Sequence, residues 1–188
     1  LNSVIQLFNG IDALRQHVTP DVRMHGIIVK GGVAVNIVPD EAVADFYFRA
    51  STKERVTEVI EKVKKIAEGA ALMTGATLEM ERYELPYDDL KTNEKLSEMF
   101  NENLRALGIT DINPAKATGG SSDIGNVSHV APTIHPYIGI TDCPMVGHSV
   151  EMAKATTTNK AHDRLLIAAL AMAYTGYDVI VRNESLRS

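Results

Sequence analysis

The residues of this sequence that could do chemistry lie in three short segments. The first runs from Asn36 to Arg49, the second is the loop Gly119-Gly120-Ser121, and the third holds His148. An asparagine offers paired donor and acceptor groups, and an arginine offers a planar fork that matches a carboxylate. A histidine in a loop between a strand and a helix is placed where site residues gather. These residue types are compatible with a carboxylate-binding site and a metal ligand.

Each segment also has an ordinary interpretation. Asn36 could satisfy a turn, Arg49 could be a solvated charge at a strand end, and His148 could be a loop histidine. The Gly-rich loop could be a capped turn. No second ligand lies at a chelating spacing from His148, and the sequence contains no His-Glu-x-x-His, paired Cys-x-x-Cys or Gly-x-Ser-x-Gly motif. The pattern assigns no role to the other histidines in strand-like segments, His25 and His135.

Composition narrows the class of protein. The chain has 188 residues, 45% of them hydrophobic, and a formal net charge of -5. It is long enough for one domain or two small ones. No run rich in Lys or Arg stands out, which argues against nucleic acid as the main partner. No apolar run approaches the ~20 residues that span a bilayer, so no membrane partner is expected. The single cysteine, Cys143, fits a reducing compartment and predicts a cytoplasmic protein.

The elements that must position these residues form two groups. The first half of the chain is predicted to run α, β, β, α, β. Residues 2–17 form the first helix, and strand-like segments follow at 22–30, 33–38 and 42–50. A helix capped by Ser51 and Glu54 and ended by Gly75 comes next, followed by a strand at 76–83. This order predicts a ferredoxin-like α+β sandwich that lacks its first strand. A linker then leads to a helix at 92–107, a strand near 133–140 and a helix at 161–181. We therefore predict two domains, residues 1–86 and 87–188.

Three ordered blocks carry a resemblance to a known family. They run from His25-Gly26-Ile27 through Asn36-Ile37-Val38-Pro39-Asp40 to Arg49, over Ser121-Ser122-Asp123-Ile124-Gly125-Asn126, and from Pro132-Thr133-Ile134-His135 to Gly147-His148. Together they resemble the zinc-dependent aminoacylase/glutamate-carboxypeptidase family. The likeness is closest to its amidohydrolase branch, which includes aminobenzoyl-glutamate hydrolases and Xaa-Arg dipeptidases.

The resemblance implies an architecture and a set of roles. Members have an α/β catalytic domain with two divalent metal ions and an inserted ferredoxin-like lid domain that forms a homodimer. This chain would be most of the lid plus the C-terminal part of the catalytic domain. His148 matches a metal ligand, and Asn36 and Arg49 match lid residues that hold the substrate carboxylate across the dimer. Gly119, Gly120 and Ser121 match a substrate-contacting loop.

The departures from the family limit what this chain would do alone. The other metal ligands and the catalytic glutamate lie in an N-terminal segment that this sequence does not contain, so no catalytic residue is predicted here. The parent protein is expected to hydrolyse the amide bond of small N-acyl amino acids or dipeptides with a metal-activated water. Zinc is the expected metal, with manganese or cobalt as alternatives. The chain alone is expected to be inactive and to hold no metal stably.

Two other interpretations stay open. In one, the chain is a non-catalytic dimerisation module from a truncated gene product, and it uses exposed faces of its first helix and of a lid strand. In the other, it is an unrelated small-ligand-binding protein whose Gly-rich loop holds an anion. The amidohydrolase interpretation requires an upstream segment rich in His, Asp and paired Glu, and the module interpretation requires that there be none. The third predicts binding without metal.

Overall fold

A computed structural model describes residues 1–114, 121–182 and 186 of the chain. It divides into two compact units, Leu1–Asp89 and Leu90–Ser188. The elements are helices and one small sheet, which places the chain in the α+β class. The sequence put the division after residue 86, and the assignment of the two parts to a lid and to a catalytic domain stays a prediction.

The first unit is a two-layer structure in which helices cover one face of a hairpin. Helix α1 (Asn2–Leu14) continues into a 3₁₀ turn (Arg15–His17), strands β1 (Arg23–Lys30) and β2 (Val43–Arg49) pair antiparallel, and helix α2 (Lys53–Thr74) follows. Apolar side chains from the two α-helices and the two strands meet in one core, whose buried members are Ile11, Leu14, Val22, Met24, Val59 and Val63. Burial of this set is the main source of stability in the unit.

Strand alternation divides the hairpin into an inward and an outward face. Phe46 and Phe48 pack against the core, and Met24 lies opposite Phe48. Gly26 lies opposite Phe46, and a Cβ atom there would come within 2.3 Å of the Phe46 ring, so the inward face requires a glycine at this position. The intervening residues point away from the helices, and they include Arg23, His25, Tyr47 and Arg49.

Helix α2 begins one residue later than the sequence predicted. Its N-cap is Thr52, whose hydroxyl accepts from the Arg55 amide at 3.3 Å, and the Lys53 amide donates to the Asp89 carboxylate at 2.9 Å. The predicted cap, Ser51, donates instead to Asp21. Gly75 ends the helix in the left-handed region at φ 70°, as predicted.

Two predicted strands of the first unit are wrong. Residues 33–38 form a turn closed by the Ile37 amide and the Ala34 carbonyl at 3.2 Å, and their apolar side chains are exposed. Residues 76–83 form neither a helix nor a strand, and they pair with no strand in the described part of the chain. An apolar run becomes a strand only with a partner, and the sheet offers these segments none. In its described residues the first unit therefore has one hairpin and two α-helices of the predicted ferredoxin-like order, and its role as a lid stays a prediction.

Over residues 90–114 and 121–182, the second unit contains four helices and one isolated bridge. They are α3 (Glu94–Ala106), α4 (Ile124–Ser128), α5 (Val150–Ala155) and α6 (Asn159–Arg182). Phe100 and Leu104 of α3 pack against Ala171 of α6, and the Asn103 amide donates to Thr175 and Asp178 at 3.2 and 3.0 Å. The strand predicted near 133–140 is wrong, since in the described residues only Thr133 pairs, in a single bridge with Thr92.

Helix α6 is long and apolar enough to cross a membrane by length and composition alone, a criterion that helices of soluble proteins also meet. Charged residues near both of its ends limit the uninterrupted apolar run, and the expectation of no membrane partner stays a prediction. The exposed apolar residues of α6, such as Leu166, Leu170 and Tyr177, lie opposite the face that contacts α3.

Candidate functional site

Asn36 lies in the loop that joins the two strands of the hairpin. It is exposed and sits inside the turn between Ala34 and Ile37. The loop side chains around it are apolar and exposed, with Val33 at 88% and Val38 at 90%. The loop thus presents an amide side chain among apolar residues, which is a surface suited to contact with another chain or a ligand.

Arg49 ends β2 on the outward face of the hairpin, directly opposite Arg23 of β1. Both arginines are exposed. Strand β2 begins at Val43, just after the loop of Asn36, and six residue steps of a strand span about 20 Å. The two predicted carboxylate-binding residues thus belong to opposite ends of β2 within one chain, and their shared role stays a prediction.

A tyrosine and a carboxylate lie beside Arg49 on the same face. Tyr47 donates a hydrogen bond to Glu84, and its ring meets Tyr83 edge to face with the centroids 5.8 Å apart. The Glu84 carboxylate favours the protonated phenol and raises the pKa of Tyr47 well above its ordinary value. Tyr47 therefore stays neutral at physiological pH. His25 lies directly opposite it on β1.

Asp21 organises the loop that precedes β1. Its carboxylate accepts from the Ser51 hydroxyl at 2.7 Å and from the Ser51 amide at 3.0 Å, and it lies 3.9 Å from Nε of Arg55. Hydrogen bonds from the Thr19 hydroxyl and from Ser51 hold the pKa of Asp21 well below its usual range. Asp21 is thus an anion that is already satisfied, and it ties the entrance of β1 to the end of β2.

His148 has a backbone conformation that sets it apart. Its φ is 56°, the one positive value for a non-glycine residue in the described ranges, and its side chain is exposed. The next residue, Ser149, caps α5 by accepting from the Met152 amide at 3.1 Å. A left-handed backbone conformation at a non-glycine residue costs energy, and such residues are frequent at functional sites. The conformation therefore supports a functional role for the His148 imidazole.

A metal ion needs more ligands than this imidazole. Over residues 1–114 and 121–182, no three His, Cys, Asp or Glu side chains come together in a group that could hold an ion. Protein metal centres take about three side chains per ion. The residues in hand therefore do not fit a metal centre by themselves, and His148 can supply only one ligand.

Only part of the Gly-rich segment lies within the described residues. Gly119 and Gly120 lie outside the described residues, whereas Ser121 is exposed and precedes α4. The hydroxyl of Ser122, not the carboxylate of Asp123, accepts from the Ile124 amide at 3.3 Å. His135, to which the sequence assigned no role, has its ring 5.4 Å from that of Tyr137.

Sequence reasoning missed Arg23. The signal was available, because in an antiparallel hairpin the first residue of one strand faces the last residue of the other.

Neither of the two surface depressions found in the first unit contains a predicted site residue. One holds about 310 Å³ and is lined by His17, Thr19, Arg55, Glu58 and Lys62 with an apolar floor.

Known proteins match both halves of this chain. Residues 2–73 match the model of the peptidase dimerisation domain. This segment is thus a peptidase dimerisation domain by similarity, and the predicted resemblance is confirmed. The human Xaa-Arg dipeptidase is 34% identical over 99% of this chain, and the mouse protein is 34% identical over 97%. One of the subunits of the Escherichia coli p-aminobenzoyl-glutamate hydrolase is 25% identical over the whole chain.

The relatives are longer than this chain. It spans 43% of each mammalian dipeptidase and 50% of the bacterial hydrolase chain. The similarity crosses both compact units, whereas the dimerisation domain lies within the first one.

Proposed function

We propose that this chain is part of a metal-dependent amidohydrolase or dipeptidase that hydrolyses the amide bond of small N-acyl amino acids or dipeptides. The observation that carries the proposal is that similarity to a dipeptidase extends over 99% of the chain. A module that served only for dimerisation would need no similarity beyond residues 2–73. The second unit is thus proposed to be the C-terminal part of a catalytic domain, and the first its lid.

The exposed side chains are consistent with a larger catalytic unit. Leu166 is 64% exposed and Tyr177 65% exposed on the face of α6 that is turned away from α3. Exposed apolar residues that share one face of a helix often mark a site of contact. We propose that the missing N-terminal catalytic segment covers it. The free and exposed Cys143 suits the proposed cytoplasmic location.

Substrate recognition is assigned to the hairpin. Arg49, exposed at the end of β2, is proposed to bind the free carboxylate of the substrate through its planar fork. Asn36 is proposed to act from the partner subunit of a homodimer, which suits its place in an exposed loop of a dimerisation domain. Gly119, Gly120 and Ser121 keep their proposed contact with the substrate.

His148 is proposed as one ligand of a pair of divalent ions, zinc before manganese or cobalt. The remaining ligands and the catalytic glutamate would come from the missing segment, so the chain alone is proposed to be inactive. The decisive experiment uses the protein made from its native gene. Its mass comes first, because a product near 20.5 kDa would leave His148 without co-ligands.

If the product is about twice that mass, hydrolysis of N-acyl amino acids and dipeptides is assayed before and after chelation. Activity that chelation removes and added metal restores would support the proposal. An intact protein that hydrolyses none of them would contradict it.

The alternative is a dimerisation module without catalysis. It is favoured by the match of the first unit alone to a dimerisation domain. It predicts a native product of 20.5 kDa that is a dimer in solution and binds no metal. Sedimentation of the 188-residue chain distinguishes a dimer from a monomer.

A further inference from the structure

The depression of about 310 Å³ lies between the segment that follows α1 and the first half of α2. Its floor is formed by Val18, Val22 and Val59, of which Val22 is 8% exposed and Val59 3% exposed. These valines belong to or pack against the core of the first unit, so the floor is the outer surface of a packed core. A cavity of about 300 Å³ lies at the lower end of the range found for small-molecule sites.

One wall of the depression is held in place by Arg55. Its Nη1 donates to the Thr19 hydroxyl at 2.8 Å, and its Nε lies 3.9 Å from the Asp21 carboxylate. These contacts join α2 to the loop before β1. Arg55 therefore shapes the depression, and the nearby Asp21 carboxylate offsets its charge.

Two oppositely charged side chains of the rim are not used by the fold. Glu58 and Lys62 both line the depression, and neither makes a side-chain hydrogen bond or an ion pair with any described residue. They lie four residues apart on α2, or about 6 Å along the helix axis. An exposed Glu–Lys pair of this spacing is only weakly stabilised, so a ligand that binds both charges can compete with it. The rim thus offers a carboxylate and an ammonium group beside an apolar floor.

We propose that this depression binds a free α-amino acid with an apolar side chain. The ammonium group of the ligand pairs with Glu58, its carboxylate pairs with Lys62, and its side chain covers the valines of the floor. The charges of Glu58 and Lys62 cancel, as do those of the ligand, so a zwitterion fits the rim better than an anion or a cation of similar size. The inference concerns a site apart from Arg49 and does not rest on the proposed function.

The test uses leucine and two of its analogues that each lack one charge. Isocaproate has no ammonium group, and isoamylamine has no carboxylate. Each compound is titrated into the 188-residue chain while the NMR signals of the valine methyl groups are followed. Leucine should saturate the shifts of Val18 and Val59 at about 2- to 5-fold lower concentration than either analogue, because an exposed ion pair contributes modestly to affinity.

Two variants separate the contributions of the two charges. Glu58→Gln should weaken the binding of leucine and isoamylamine about 2- to 5-fold and should not weaken that of isocaproate. Lys62→Gln should weaken the binding of leucine and isocaproate to the same degree and should not weaken that of isoamylamine. Both residues are exposed, so these substitutions leave the fold intact. The matched controls are Glu68→Gln and Lys65→Gln, which change exposed residues of α2 outside the depression and should leave all three affinities unchanged.

Several outcomes would overturn the inference. If isocaproate binds as tightly as leucine, the depression is an anion site, and if isoamylamine does so, it is a cation site. If the shifts at Val18 and Val59 are no larger than at Val4, which lies on α1 outside the depression, no amino acid binds there. A Glu58→Gln chain that keeps the full preference for leucine over isocaproate would show that Glu58 does not bind the ammonium group.

Discussion

The two compact units differ in how they bury their apolar residues. In the first, Ile11 is 1% exposed and Met24 3% exposed in a core to which two helices and a hairpin contribute. In the second, the contact between α3 and α6 has a small core, and the opposite face of α6 leaves Leu165 and Leu166 each 64% exposed. The first unit has the packing of a domain. The second has the packing of elements that need a further surface.

The largest expected effect tests the core of the first unit. Ile11→Ala removes a fully buried side chain and should lower the free energy of unfolding by about 2–5 kcal/mol. Ile5→Ala, on the same helix but 42% exposed, should cost less than about 1 kcal/mol. Urea unfolding of the chain, read by amide exchange in α1, measures both. Similar losses in the two variants would mean that the core is not where the structure puts it.

A second pair of variants compares a buried and an exposed apolar residue in the second unit. Leu104→Ala, at 7% exposure in the contact with α6, should cost about 2–5 kcal/mol. Leu166→Gln should change stability by no more than about 0.5 kcal/mol in this chain, because the residue has little to lose. In the intact protein the same change should be much more costly if a catalytic segment covers α6. If Leu166→Gln lowers stability equally little in this chain and in the intact protein, a catalytic segment does not cover α6.

The helices could be predicted from the sequence because their determinants are local. The apolar spacing that fixes α2, α3 and α6 and the glycine at 75 act within a few residues. The strand predictions at 33–38 and 76–83 failed for the opposite reason, since a strand exists only through pairing with a distant segment. The apolar run of 33–38 instead lies between the glycines at 31–32 and Pro39, which has no N–H to donate.

The residues of the candidate site also differ in how far their positions could be predicted from the sequence. Arg49 and His148 could be chosen from their types and neighbours, whereas the position of Arg23 opposite Arg49 follows only once the two adjacent strands are paired as an antiparallel hairpin, which the sequence already indicated. The left-handed backbone conformation of His148 could not be predicted from the sequence, because non-glycine residues rarely adopt a positive φ. Roles that depend on a second chain, such as that of Asn36, cannot be read from one chain at all.

A pair of glycines sharpens the account of the first unit. A Cβ atom on Gly10 would come within 2.3 Å of Cγ2 of Ile66, so Gly10→Ala should separate α1 from α2 and cost about 1–3 kcal/mol. Gly69→Ala, with nothing within 4 Å of its Cβ, should stabilise α2 by up to about 1 kcal/mol. Thermal unfolding of the two variants gives the sign of each. The same sign for both would contradict the close approach of the helices.

His148 tests whether the second unit stores strain for a ligand. His148→Gly should stabilise the chain by about 1 kcal/mol at most, since glycine accepts a φ of 56° without a Cβ clash. In the intact protein it should also lower the bound metal per protomer. His148→Ala should lower the metal content without the gain in stability. Full metal occupancy in both variants would leave His148 a loop residue.

Asp21 gives the smallest effect and a definite sign. Its pKa is lowered in the folded chain by hydrogen bonds from Thr19 and Ser51, so the folded state keeps the carboxylate charged at pH values where the unfolded state binds a proton. The resulting stability is present above about pH 4 and is lost as the pH falls further. Asp21→Asn should therefore be less stable than the parent chain at pH 6, and the gap should narrow towards pH 3. Ser51→Ala removes one donor and should reduce the same pH-dependent part. A gap that stays constant from pH 6 to pH 3 would mean that Asp21 does not tie the start of β1 to the end of β2 through its charge.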